Sequence, residues 1–152
     1  MIVVMNKNLK PRYRTNLVKQ QSLCESSFHK LRHLLPELDN QDNFQLKLHY
    51  QKHTGVVEFQ VVSRAPFTLE LDVSIQADWG QWLDMPSFRI RAYQDVRMAE
   101  IVSMNRERNF EALYDYPNQK MHQPDEKAQL NQLLAEWLNF CLAHGFSDQK
   151  VV

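Results

Sequence analysis

The chain has 152 residues, with 18 Lys or Arg and 18 Asp or Glu, so its formal net charge is zero. Hydrophobic residues make up 43% and aromatic residues 11%, which excludes a disordered protein and allows one domain with a real core. Two cysteines are too few for a disulfide scaffold, and none of the three glycines stands in a phosphate-binding loop, so P-loop NTPases and classical dinucleotide-binding enzymes are not expected.

The first predicted elements are an arm and a helix. Residues 1–14 begin with five apolar residues and then turn polar and basic, which is typical of a flexible arm. From Asn16 to Leu35 apolar residues recur at three- and four-residue steps, and this spacing predicts a helix that Pro36 ends. Residues 37–43 are polar and are expected to form a loop.

Strand patterns dominate the middle of the chain. Apolar and polar residues alternate with a period of two, and the short spacing between runs favours an antiparallel meander over parallel crossovers. Gly55 is expected in a hairpin turn, and so is the pair Gln94-Asp95. The predicted strands cover residues 44–51, 57–62, 67–76, 88–93 and 96–104, with a short sixth strand near 110–114.

The last predicted element is a second helix. Pro124 suits its first turn, an apolar stripe runs from Leu130 to Leu142, and Gly145 is expected to cap its end. Because the apolar sheet face must be buried, we expect a two-layer α+β domain: a five- or six-stranded antiparallel sheet with the N- and C-terminal helices packed on one face. This single domain is expected to span residues 15–146, followed by a tail at 147–152.

The charge is unevenly distributed along the chain. Residues 1–36 contain seven Lys or Arg and one acidic residue, a balance of +6, so residues 37–152 carry −6. A basic arm on an acidic body could contact nucleic acid, anionic lipid or an acidic protein patch. A solvated arm or pairing within the molecule explains the same asymmetry.

Four polar residues in the strand patterns are candidates for a binding site. Arg89, Arg91 and Tyr93 are expected on the solvent-facing side of their strand, where they could receive an anion or simply form a wet sheet face. Strict alternation places Glu100 on the apolar face, which is costly for a carboxylate unless it is paired. A buried pair with Arg89 or Arg91, which requires a bulge, and a base in a pocket are the alternatives for Glu100.

The segment from Tyr114 to Lys127 concentrates aromatic, acidic and imidazole side chains just before a helix. Asp115, His122, Asp125 and Glu126 could form an acid–base or metal site at the helix N-terminus, or bind a ligand or partner. A structural role in turns, packing and helix capping explains the same residues. The candidate binding residues of this segment are Tyr114, Asp115, Tyr116, Asn118, His122 and Asp125.

Signals for metals and nucleophiles are weak. His29 and His33 stand one helical turn apart, a spacing that can chelate a metal, but no third ligand follows at a recognisable spacing, so surface histidines are expected. The cysteines, Cys24 and Cys141, both fall on apolar helix faces. No metal, cofactor or catalytic residue is therefore assigned.

Two blocks of sequence, with Tyr93, Asp95, Ala99 and Glu100 between them, have a pattern that extends over most of the chain. The first block contains Leu23, Cys24, Glu25, Phe28, Leu31, Arg32, Leu34, Leu35 and Pro36. The second contains Tyr114, Asp115, Tyr116, Pro117, Asn118, Lys120, His122, Gln123, Asp125, Glu126 and Lys127, and runs on through Trp137, Cys141, His144 and Gly145. Together they resemble the YqiB-like family, a bacterial family of unknown function. The resemblance implies a bacterial cytoplasmic one-domain protein and transfers no catalytic residue.

Three hypotheses for the function remain. The first is a small non-enzymatic binding or adaptor protein that contacts a protein partner or a small anionic ligand. The second is a hydrolase-type enzyme that uses the segment 114–127 with Glu100, and the third is nucleic-acid contact through residues 7–33. The cytoplasm is the expected compartment, because the apolar N-terminus is too short for a signal peptide, no run approaches the roughly 18 residues of a membrane span, and free thiols fit a reducing environment.

Overall fold

A computed structural model describes residues 16–77, 87–105 and 124–146. The elements in these ranges follow the predicted order of a helix, five strands and a helix, with one more short strand at the end. They are α1 (Leu17–Leu34), β1 (Asn43–Tyr50), β2 (His53–Arg64), β3 (Thr68–Ala77), β4 (Ser87–Tyr93), β5 (Met98–Asn105), α2 (Pro124–His144) and β6 (Gly145–Phe146).

Local signals fix both ends of α1. The side chain of Asn16 accepts a hydrogen bond from the Lys19 backbone N–H at 3.0 Å, and so satisfies one of the donors that a helix start leaves free. The helix stops at Leu34, and Leu35 occupies the C-cap position just before Pro36. The predicted extent of this helix is therefore confirmed.

Within the described residues, the strands form one antiparallel sheet in the order β5-β4-β3-β2-β1-β6. Strands β1 to β5 pair with their neighbours in sequence, as expected for an antiparallel meander. β6 then returns from the end of α2 to the other side of β1, where Gly145 lies opposite Leu48 and Phe146 lies opposite Lys47.

The core lies between the sheet and the two helices. Alternate residues of the strands, such as Leu46, Phe59 and Ile90, are buried in the same cluster as Leu31 of α1 and Leu138 of α2. Both helices therefore cover one face of the sheet, and the predicted two-layer α+β architecture is confirmed. We call the sheet face that points away from the helices the outer face.

Two expectations about local structure need correction. Gly55 does not form a hairpin turn, because it lies inside β2 opposite Leu48. The turn consists of Gln51 and Lys52, and Gln51 takes the unusual left-handed conformation with φ of 56°. The strand predicted near residues 110–114 lies outside the described residues, and the sixth described strand is β6.

One arginine holds the loop between α1 and β1 against the sheet. The Nη2 atom of Arg64 donates to the backbone oxygen of Leu38 at 3.0 Å and to that of Gln41 at 2.6 Å. Its Nε and Nη2 atoms also donate to Oδ1 of Asp42, at 3.1 and 2.9 Å. The guanidinium donates from two nitrogens held in one plane, an arrangement that the single nitrogen of a lysine does not offer.

Replacing Arg64 with alanine is expected to lower the free energy of unfolding by about 1–2 kcal/mol, because the Leu38 and Gln41 carbonyl oxygens both lose their donor. Chemical denaturation measures this loss. The control is Asp42→Ala, which removes only an exposed ion pair and should cost about 0.5 kcal/mol or less. Equal losses in the two variants would contradict the assignment of Arg64 as a clamp on the backbone.

Candidate functional site

Acidic and basic side chains face one another across the outer face of β3 and β4. The antiparallel register places Glu70 opposite Arg91 and Asp72 opposite Arg89. Opposite charges at directly paired positions stabilise a sheet. Pairing across the two strands therefore explains why charged residues alternate with apolar ones in both. Residues of β5 and α2 continue this row, which we call the charge ladder. Its members are Asp72, Arg89, Glu70, Arg91, Tyr93, Glu100 and Lys127.

Arg89 and Arg91 share the carboxylate of Glu70. Arg89 binds Asp72 through two bonds, with Nε at 2.6 Å from Oδ1 and Nη2 at 3.1 Å from Oδ2. Oε2 of Glu70 accepts a hydrogen bond from Nε of Arg91 at 2.7 Å, and Oε1 of Glu70 lies 3.7 Å from Nη1 of Arg89. A hydrogen bond with Asp72 raises the pKa of Arg89, and hydrogen bonds with Tyr93 and Glu70 raise the pKa of Arg91. Both arginines therefore stay charged.

Glu100 does not lie on the apolar face of the sheet, which corrects the expectation from strict alternation. It lies on the outer face, where the backbone register places it opposite Arg91, while its neighbours Ala99 and Ile101 are buried in the core. The register between β4 and β5 shifts beside Val102, and this bulge changes which residues face the core halfway along β5. Strict alternation predicted the wrong face because it assumes an unbroken strand.

The carboxylate of Glu100 is held by two donors. The hydroxyl of Tyr93 donates to Oε2 at 2.7 Å, and Nζ of Lys127 donates to Oε1 at 2.9 Å. Burial is the main cause that raises the pKa of Tyr93, so the phenol keeps the proton that it donates. The partners of Glu100 are thus a lysine from α2 and a tyrosine from β4, rather than the arginine expected from the sequence.

The charge ladder neutralises itself. Its three carboxylates and three cations give a net charge of zero. An incoming anion at Arg89, Arg91 and Tyr93 would compete with carboxylates already bound there, some at 2.6–2.7 Å. The arrangement is therefore better suited to matching a surface of mixed charge than to capturing a free anion.

The thiol of Cys24 on α1 lies within the electrostatic reach of this ladder. Burial raises the pKa of Cys24 to about 11, and the negative charge of Glu100 acts in the same direction, whereas Lys127 lowers it. A thiol with so high a pKa is almost wholly protonated at neutral pH, so it is not an activated nucleophile. Cys141 is fully buried in the core, and burial raises its pKa as well.

The variant Glu100→Gln is expected to lower the pKa of Cys24, because it removes a negative charge and leaves Lys127 in place. At any pH below this pKa, a fall in the pKa by one raises the thiolate fraction by up to about tenfold. The rate of alkylation by iodoacetamide should rise with the thiolate fraction. The measurement is the alkylation rate across the alkaline range, with Cys24→Ser as the control that assigns the signal. An apparent pKa that stays the same or rises would contradict this coupling.

The remaining predicted site residues are only partly visible. Tyr114, Asp115, Tyr116, Asn118 and His122 lie outside the described residues. Asp125 belongs to the first turn of α2. The hypothesis of a site in the segment 114–127 therefore stays a prediction, as do the hydrolase that depends on it and the contact of nucleic acid through residues 7–33.

Sequence reasoning missed Glu70, Asp72 and Lys127 as partners of the predicted residues. Glu70 and Asp72 carried a usable signal, since they have the same alternation as Arg89 and Arg91 one strand away. Lys127 carried none, because it reaches Glu100 from a helix that lies 27 residues later in the chain.

Metal binding and membrane insertion find no support in the described parts of the chain. His29 and His33 are both exposed, and none of the His, Cys, Asp and Glu residues in these parts form a group of three or more that could hold a metal ion. Neither α1 nor α2 is both long and apolar enough to cross a membrane.

Comparison with known proteins places the chain in a family. The model of a family described as "Protein of unknown function (DUF1249)" matches residues 30–147. The chain is 37% identical over 134 residues to the uncharacterized protein YqiB of Escherichia coli strain K12, a match that covers 88% of this chain and 94% of that protein. The YqiB protein of Escherichia coli O157:H7 matches with the same identity and coverage. No solved structure matches. The resemblance seen in the two sequence blocks is thus confirmed, and the chain belongs to the YqiB-like family of proteins of unknown function.

Proposed function

We propose that this chain is a non-enzymatic binding protein that docks a protein partner on the outer face of its sheet. The observation that carries the proposal is that the charge ladder lies on this face with apolar side chains exposed beside it. Among the described residues, both helices pack on the opposite face of the sheet, and α2 reaches the ladder through Lys127 at the β5 edge. An open face with fixed charges and exposed apolar groups is a typical surface for a partner.

Two apolar side chains lie at the end of the sheet next to the ladder. Phe67 is 62% exposed in the turn between β2 and β3, and Val96 is 52% exposed in the turn between β4 and β5. The Gln94 N–H donates to the Phe67 carbonyl at 2.8 Å, which holds the two turns side by side. An aromatic side chain flanked by mixed charges matches the composition of a binding hot spot.

The self-neutralising ladder favours a protein over a small anionic ligand at Arg89, Arg91 and Tyr93. A free anion must displace carboxylates from both arginines, whereas a protein surface can meet exposed acidic and basic groups together. Each ladder pair is partly exposed, so its stabilising effect within the fold is modest. A fixed row of mixed charges is better suited to selecting a protein partner than to stabilising the fold.

We also propose that the protein acts in the cytoplasm. Cys24 and Cys141 are both free, and Cys141 is fully buried. Free thiols of this kind persist in a reducing compartment.

The test is photo-cross-linking in living bacteria with a photoreactive amino acid placed at single positions. Ser103 lies on the outer face and Phe67 at its end, so these two positions report on the proposed docking surface. Gln132 and Glu136, on the exposed side of α2, serve as controls. We expect one and the same polypeptide to be captured at the first two positions and not at the controls.

The variant Phe67→Asp then separates specific docking from chance proximity. Because Phe67 is exposed, this change should leave the thermal stability nearly the same while it abolishes the cross-link at Ser103. Capture of the same proteins at all four positions, or of none at Phe67 and Ser103, would overturn the proposal.

A further inference from the structure

Acidic and basic side chains occupy two adjacent columns on the outer face. Glu70 and Asp72 of β3 form one column, and Arg89 and Arg91 of β4 form the other, about 4.8 Å away. When a second copy faces the first, a two-fold axis parallel to the strands and midway between β3 and β4 exchanges the two columns. We propose that the partner that docks on this face is a second copy of the chain, related by this axis. The inference rests on the proposed docking function and names its partner.

The direction of the axis decides which charges meet. An axis parallel to the strands lays β3 of one copy over β4 of the other, so that Glu70 meets Arg91 and Asp72 meets Arg89 across the interface. An axis across the strands would lay β3 over β3, and acidic groups would then face acidic groups. The columns are therefore complementary to a second copy in the first orientation and repel it in the second.

The same axis brings together the two apolar side chains at the end of the sheet. Phe67 lies in the turn between β2 and β3, and Val96 lies in the turn between β4 and β5, so the two turns are equally far from the line between β3 and β4. The exchange places Phe67 of one copy over Val96 of the other and covers side chains that are 62% and 52% exposed. Charge and apolar surface thus agree on one symmetry axis.

Strands β2 and β5 are exchanged as well, and their outer residues are compatible. The register places Ser63 and Glu100 at the two ends of one row across β2 to β5, and Gln60 and Ser103 at the two ends of the next. Across the interface Ser63 therefore meets Glu100, and Gln60 meets Ser103. A hydroxyl can donate to a carboxylate, and an amide can bond with a hydroxyl, so neither contact leaves a polar group opposed by a like charge.

This docking adds contacts to the charge ladder and displaces none of its bonds. Arg91 keeps its bond to Glu70, and Arg89 keeps its two bonds to Asp72. The side chains of Arg89 and Arg91 are still 40% and 38% exposed. A guanidinium has more N–H donors, and a carboxylate more acceptor positions, than these bonds use, so each can serve its own copy and the partner copy together.

Sedimentation equilibrium of the full-length protein tests the inference with two charge-exchanged variants. One carries Arg89→Glu with Arg91→Glu, and the other carries Glu70→Arg with Asp72→Arg. We expect the wild type to dimerise reversibly. Each variant alone should self-associate at least about tenfold more weakly, because like charges then face each other across the axis. An equimolar mixture of the two variants should restore the dimer, with one copy of each.

Lys19→Glu is the matched control. It reverses one exposed charge at the start of α1, away from the outer face, and should leave self-association unchanged. Circular dichroism shows whether each variant is folded. Where a double exchange prevents folding, the single exchanges Arg91→Glu and Glu70→Arg replace it and should again dimerise better as a mixture than alone.

A second measurement leaves the ladder intact. A photoreactive amino acid replaces Phe67 in unlabelled full-length protein, which is mixed with ¹⁵N-labelled wild type and irradiated. Mass spectrometry should find the photoreactive residue joined to the ¹⁵N-labelled turn around Val96, because the axis places these two turns over each other. The isotope label distinguishes this cross-link from one within a single copy.

Three results would each overturn the inference. The first is a wild type that stays monomeric up to about 0.5 mM. The second is a pair of folded charge variants that dimerise alone as well as they do together, and the third is a cross-link between copies that maps away from the turn around Val96. If a different polypeptide is captured at Phe67 and Ser103 in bacteria, docking on the outer face stands and only the second copy is excluded. If nothing is captured there, both proposals fail.

Discussion

Replacing Trp137 with alanine is expected to lower the free energy of unfolding by about 3–5 kcal/mol. Trp137 is 4% exposed on α2 and packs edge-on against Phe88, with ring centroids 5.1 Å apart, and near Phe59 at 6.0 Å. Truncation leaves a cavity between α2 and the sheet that the surrounding side chains cannot fill. Chemical denaturation measures the loss, and the thermal midpoint should fall by about 6–20 °C.

The matched variant Trp137→Phe should cost much less, about 1 kcal/mol or below. The indole nitrogen of Trp137 is buried and has no hydrogen-bond partner among the described residues. A buried donor without a partner costs about 1–3 kcal/mol, so its removal offsets much of the smaller cavity that phenylalanine leaves. Losses of equal size in the two variants would contradict this explanation, because they would mean that the nitrogen makes a favourable contact.

The second large effect is expected for Gly145→Ala, which should lower the free energy of unfolding by about 1–3 kcal/mol. A β-carbon at position 145 would lie 2.6 Å from the backbone oxygen of Cys141 and 2.7 Å from Cδ2 of Leu46. The first contact is with backbone inside α2, which cannot move without disturbing the helix end. Hydrogen exchange at the amides that bond β6 to β1, within the pairs Lys47–Phe146 and Leu48–Gly145, should accelerate, because the β6 pairing loosens first.

A double-mutant cycle with Leu46→Ala separates the two clashes. Leu46→Ala is destabilising by itself, since Leu46 is buried in the core. In the double variant, however, the side-chain half of the clash is gone, so the combined loss should be smaller than the sum of the single losses. Strict additivity would show that Leu46 takes no part, and stability equal to the wild type in Gly145→Ala alone would show that the glycine is not required.

The architecture was predictable because the strands have nearly unbroken alternation. Leu69, Leu71 and Val73 face the core as a regular period of two requires, and Pro36 ends α1 where its ring predicts. Errors arose where a local feature interrupts the pattern. The bulge beside Val102 moved Glu100 to the outer face, and Gln51 formed a left-handed turn without a glycine.

The candidate site was only half predictable for a different reason. Arg89, Arg91 and Tyr93 were assigned correctly to the solvent-facing side, because that depends on alternation within one strand. Their partners depend on strand register and on the position of α2. No sequence pattern indicates that Lys127 would reach Glu100, since nothing local relates the first turn of α2 to the edge strand.

The position of β6 has a consequence for synthesis of the protein. The hairpins from β1 to β5 join neighbours in sequence and can form as the chain leaves the ribosome. The pairing of Lys47 with Phe146, in contrast, connects residues 99 positions apart (146 minus 47) and cannot form before residue 146 has been synthesised. Until then the outer edge of β1 has no β6 to pair with, and an open strand edge is a template for pairing with other chains. The two residues of β6 therefore cover this part of the β1 edge only at a late stage. A truncation before Gly145 should cause aggregation during expression.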